Sequence, residues 1–98
     1  MLIKVIKTYR NVVAICDEEL LGKKFEEDEF QLDVKENFYN GEKTDEDKAI
    51  EIMKIMSIED ATFNIVGERS VNTAVKAGII SEDNIKRIQN IPFALVLM

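Results

Sequence analysis

The chain has 98 residues, 46% of them hydrophobic and 33% charged, with a formal net charge of −6 and no histidine. That length makes one domain, residues 1–98, with one continuous core and no room for a separate catalytic lobe. One cysteine, Cys16, excludes an internal disulfide, and the lack of histidine excludes a Cys/His zinc centre.

The charge is unevenly placed. Residues 1–16 carry Lys4, Lys7 and Arg10 and no acid, whereas residues 17–47 carry 13 acids against four lysines. The overall negative field disfavours non-specific DNA binding but leaves a local basic face at the N-terminus. No charged segment leads into a long apolar one at the N-terminus, and the longest apolar run, "IPFALVLM", is far shorter than the ~18–20 residues that cross a bilayer. The expectation is a soluble cytoplasmic protein without a membrane span.

"MLIKVIKT" and "NVVAIC", separated by "YRN", predict a hairpin with strands near 2–8 and 12–16. The second is apolar throughout, as a strand covered on both faces would be. In "DEELLGKKF", Asp17 is expected to cap a short helix that stops at Gly22 and points Leu20 and Leu21 at the core. "EEDE" at 26–29 reads as a solvated loop. "FQLDVK" alternates strictly, which points Phe30, Leu32 and Val34 inward. Phe38 and Tyr39 then fall in a loop before the Asn40-Gly41 turn.

Thr44 and Asp47 have the spacing of a capping box and open the main helix. Polar residues at 48, 51, 54 and 57 confine polarity to one stripe, so most of the helix circumference should be buried. "ATFNIV" at 61–66 is a short strand. The helix after Gly67 should bury Val71, Ala74 and Val75 and stop at Gly78. Ser81 should cap a last short helix carrying Ile85 and Ile88. Pro92 bars its continuation, and "FALVLM" has the character of a central strand. The order is β-β-(short α)-β-α-β-α-α-β. It predicts an α+β fold, a small α/β layer, with a mixed sheet of about five strands and helices mainly on one face.

A strand end, Gly67 and a helix N-terminus gather free backbone amides and the positive end of a helix dipole. Gly67, Arg69 and Ser70 are therefore the candidate site for a phosphate or carboxylate, with Arg69 and the Ser70 hydroxyl as added donors. The bland alternative is a turn at Gly67, with Glu68 complementing the dipole and Ser70 capping the helix. Cys16 lies beside a helix start, a place that can activate a thiol, but the chain holds no histidine to serve as its base. The acids at 17–19, 26–29 and 45–47 match no calcium-loop pattern, and no metal or cofactor is expected. Lys4, Lys7, Arg10, Lys23, Lys24, Phe38 and Tyr39 are the candidate partner surface, basic groups with an aromatic pair suited to stacking or docking.

"VVAICDEELLGKKF", "FYNGE", "NIVGERSV" and "AGII", closing on an apolar strand, together resemble the archaeal family called domain of unknown function 424. The resemblance runs through nearly the whole chain in the right order. It implies a small archaeal cytoplasmic protein without an assigned activity, associated with translation or RNA, and it carries over no catalytic residues. The residues themselves favour a non-enzymatic module docking a protein or ribonucleoprotein partner over an enzyme or binding protein for an anionic metabolite.

Overall fold

The computed structural model describes residues 1–97. Strands β1 (Leu2–Lys7) and β2 (Asn11–Cys16) form the expected antiparallel hairpin. A 3₁₀ turn (Glu18–Leu20) leads to β3 (Lys24–Glu27) and β4 (Phe30–Asp33), then to α1 (Glu36–Tyr39) and the two-residue β5 (Glu42–Lys43). The main helix α2 (Glu46–Ile58) follows, then β6 (Thr62–Val66) and α3 (Glu68–Lys76). A second 3₁₀ turn (Glu82–Asn84), β7 (Lys86–Ile88) and β8 (Ile91–Val96) complete the order. Met98, the last residue of the predicted "FALVLM" strand, lies outside the described residues.

The fold is α+β, with a mixed six-stranded sheet in the order β5-β1-β2-β6-β8-β7 and a separate two-stranded sheet, β3-β4. The pair β2 and β6 runs parallel, and every other pairing is antiparallel. A parallel neighbour demands a crossover, and residues 17–61 supply it.

Strand alternation sends side chains into two apolar layers. On one face Val13, Ile15, Phe63 and Ile65 pack with Ala49, Met53 and Met56 of α2 and Val71 and Ala74 of α3. On the other, Leu2, Cys16, Val66 and Ile88 pack with Leu20, Leu32, Val34 and Tyr39. The larger helices thus cover one face, while α1, the first 3₁₀ turn and the β3-β4 hairpin cover part of the second.

Several local expectations are corrected. The "EEDE" segment is the end of β3 and the turn into β4, because pairing Lys24–Glu27 with Phe30–Asp33 satisfies backbone groups that side-chain charge does not involve. Phe30 is 70% exposed, since it sits at the tip of that hairpin, beyond the face that Leu32 and Val34 reach. Phe38 and Tyr39 lie on the short helix α1, with Tyr39 buried. Asp45, one residue after Thr44, caps α2 by accepting the Lys48 amide at 2.8 Å. Ile55 and Ile58 of α2 are exposed, so the helix buries a narrower stripe than its composition implies. Ile88 belongs to β7, because β8 offers a ladder to the segment after Ser81.

Candidate functional site

The parallel strands β2 and β6 end side by side, with Cys16 opposite Val66. Asp17 and Gly67 are the next residues of each. Both are pinned: the Asp17 amide donates to the Val66 carbonyl at 3.0 Å, and the Gly67 amide donates to the Pro92 carbonyl at 2.8 Å. Gly67 then turns the chain into α3 with φ of +108°, a conformation closed to residues with a side chain.

This turn has the donor geometry that the sequence pointed to, and the anion it holds is the chain's own Asp17 carboxylate. Oδ1 accepts from the Ser70 amide and the Ser70 hydroxyl, each at 2.8 Å, and Oδ2 accepts from the Arg69 amide at 3.1 Å. Asp17 and Ser70 are both buried. Asp17 was expected to cap its own short helix, but the 3₁₀ turn at Glu18–Leu20 receives no side-chain bond from it. The α3 terminus, longer and better aligned, offers more free amides and a larger dipole. Only the pairing of β2 with β6 brings the two together, and no local pattern announces it.

The neighbours are arranged differently from either sequence reading. The exposed Arg69 side chain lines an open groove of about 550 Å³ with Thr44, Glu46, Thr73 and Lys76. Glu68 faces outward to Arg87 at 3.0 Å. Ser70 donates its hydroxyl to Asp17, so in this contact it anchors the capping group while Asp17 is the cap.

Cys16 is fully buried. Burial, with the Asp17 charge as a second cause, pushes its thiol up to about 11. Burial likewise pushes the Tyr39 phenol up to about 12, with neighbouring Cys16 contributing. Both groups are neutral near pH 7, and a neutral thiol is a poor nucleophile.

The candidate partner residues separate into two sets. Lys7 and Arg10 are exposed where β1 turns into β2, and Lys4 is half-buried with its ammonium donating to the Asn37 carbonyl at 2.9 Å. Lys23 and Lys24 follow Asp17, past the opposite end of β2, where Lys24 pairs with Glu26. Phe38 meets Tyr39 edge to face, with ring centres 5.0 Å apart, and Tyr39 is withdrawn into the core.

The sequence did not reveal a surface that lies beside the first set. The strand registers lay out three rows on the second face of the sheet. Leu2, Cys16, Val66 and Phe93 form a row beneath the hairpin and α1. Lys4, Ala14, Asn64 and Leu95 form the next, and Ile6, Val12 and Thr62 the third. Cover gives out along these rows: Ile6, Val12 and Thr62 are half-exposed, Leu95 is 56% exposed and Leu97, past the strand end, 73%. Tyr9 in the adjoining turn is fully exposed. Among the described residues, no helix is long and apolar enough to cross a membrane.

A crystal structure from Methanopyrus kandleri, described as an uncharacterized conserved protein, is similar to this chain with a TM-score of 0.84 and 27% identity, over 99% of this chain and 92% of that one. Comparison with curated proteins returned no match. The sequence profile described as "Protein of unknown function (DUF424)" matches residues 6–98, and the chain belongs to that family.

Proposed function

We propose that this chain is a non-enzymatic binding module that docks a protein partner, alone or as part of a ribonucleoprotein such as one serving translation, in the cytoplasm. The observation that carries the reading is the half-open second face of the sheet, where Ile6, Val12 and Leu95 line up beside Lys4, Lys7 and Arg10. An apolar patch rimmed by charge is the usual make-up of a protein contact. Its exposed rows are aliphatic, and aliphatic side chains give bases nothing to stack on, so in a ribonucleoprotein the contact falls on a protein component. The basic rim selects an acidic margin on that partner.

The competing reading places an anionic metabolite at Gly67, Arg69 and Ser70. It has less support, because such a ligand would have to displace a buried carboxylate that already fills the turn.

The test is quantitative affinity capture from native lysate by the wild-type chain and by Leu95→Asp, with both proteins first checked for fold by amide spectra. A specific protein retained by wild type and lost with Leu95→Asp supports the reading. Retention that is indifferent to Leu95→Asp sinks it. A thermal-shift screen with inorganic phosphate serves the competing reading, which would require stabilisation that Arg69→Ala reduces.

A further inference from the structure

We infer that the free half of the β1 edge receives an extended partner segment as an added antiparallel strand, and that the segment's core reads acid–apolar–apolar–acid. The inference rests on the docking reading above and specifies the partner's chemistry.

The edge is open because β5 is only two residues long and pairs with Leu2 and Ile3 alone. The Thr44 amide donates to the Met1 carbonyl at 2.9 Å, which sets the phase of the ladder. Odd-numbered residues of β1 direct their backbone groups toward β5, and even-numbered ones toward β2. Beyond Ile3 the next odd residues are Val5 and Lys7, and their outward backbone groups have no backbone partner among the described residues. Such a row is a template for strand addition.

The ground beside the edge suits an added strand. A groove of about 340 Å³ runs along it, with Ile3, Val5 and Ile52 as apolar walls and Gly41 and Glu42 at the end where β5 stops. A strand entering in line with β5 would lay its side chains alternately over this groove and over the half-open face carrying Lys4 and Ile6. Directly opposed residues share a face, so Lys4 and Lys7 each call for an acid opposite, and Val5 and Ile6 each call for an apolar residue.

The same chemistry rules out a second copy as the occupant. Pairing β1 with another β1 in antiparallel fashion, centred on Val5 and Ile6, sets Lys4 against Lys7 twice, and opposed like charges destabilise. Nowhere does this chain contain two adjacent apolar residues flanked on both sides by acids. The complementary strand comes from a different protein.

The probe is the blocked peptide Thr-Glu-Val-Ile-Glu-Thr, titrated into the ¹⁵N-labelled full chain, with the peptide carrying lysine in place of both glutamates as comparison. The glutamate peptide should shift the Val5 and Lys7 amides and slow their exchange, while the Lys4 and Ile6 amides, already in the β2 ladder, keep their exchange rates. The lysine peptide should bind at least roughly tenfold more weakly. Lys4→Glu/Lys7→Glu should reverse that preference; if this variant fails to fold, Lys7→Glu alone should narrow it. Equal affinity for the two peptides, no saturable binding, or changes confined to Val12 and Leu95 would each overturn the inference. Its failure is separable from failure of the docking reading: partner capture lost with Leu95→Asp but untouched by Lys7→Glu keeps the face and removes the edge.

Discussion

The carboxylate of Asp17 occupies the space that a side chain at Gly67 would need. A Cβ placed on Gly67 would lie 2.3 Å from the Asp17 carboxyl carbon and within 2.6 Å of both oxygens. One residue is glycine because the other is an acid that reaches across to the start of α3. The contact spans 53 positions in sequence between Asp17 and Ser70, and it joins the ends of the two central strands to the helix that follows the second.

Gly67→Ala should therefore be severely destabilising, by about 3 kcal/mol or more, since it combines a positive φ with displacement of a buried carboxylate. Urea unfolding of the two proteins measures it. A loss under about 1 kcal/mol, the level of an ordinary Gly-to-Ala strain, would show that Asp17 moves aside freely.

Asp17→Ala and Ser70→Ala should differ in a fixed order. Removing the Ser70 hydroxyl deletes one of the three bonds to Asp17 and leaves the carboxylate with both amides, at a cost of about 1 kcal/mol. Removing the carboxylate leaves a buried hydroxyl and the helix amides without their acceptor, at a cost of about 2–4 kcal/mol. Equal losses in denaturant unfolding would mean that the cap contributes nothing beyond the one side-chain bond.

The elements visible in sequence were those whose signal is local. The β1-β2 hairpin follows from two β-branched runs about a polar turn, and α3 from its apolar spacing and its glycine stop at Gly78. The strand β7 was read as helix because Ser81 and Asn84 do form a capping box, yet the turn they cap is only three residues long. What continues past it is decided by the free edge of β8, which no window around Ile88 contains. The exposure of Phe30 fails for a similar reason. Alternation assigns a face, but only tertiary structure decides whether that face is covered. The candidate anion turn was legible as a donor cluster, since amides at a helix start follow from local geometry. Its occupant was not, because Asp17 is equally plausible as a cap for the residues beside it. The open sheet face was illegible for the opposite reason: Ile6, Val12 and Leu95 look like core residues in any one-dimensional reading.

Gly41→Ala should detach β5 from β1. A Cβ at this position would fall 2.1 Å from the Ile3 carbonyl oxygen, a backbone atom that cannot rotate away. The expected loss is about 2–3 kcal/mol, with amide exchange of Glu42, Lys43 and Thr44 raised more than that of β2 or β6. Uniform exchange changes across the sheet would argue that β5 is integral to the core rather than a short edge.

Cys16 sets the behaviour of the fold in alkali. Its folded-state value is raised from 9.0 to about 11, first by burial and then by the Asp17 charge. The folded protein therefore holds the thiol proton in a range where the unfolded chain has released it. With more protons bound in the native state, stability falls as pH rises. The contribution is complete below about pH 9 and is lost progressively between there and about pH 11. Denaturant midpoints measured across that range should decline for wild type and decline less for Cys16→Ala, once each is referred to its own value at pH 8. In the same protein, a thiol reagent at pH 8 should modify Cys16 only as fast as the chain opens, and urea should accelerate the reaction in step with unfolding. Fast labelling of the folded chain, or a wild-type slope no steeper than that of the variant, would contradict the burial that the structure assigns to this thiol.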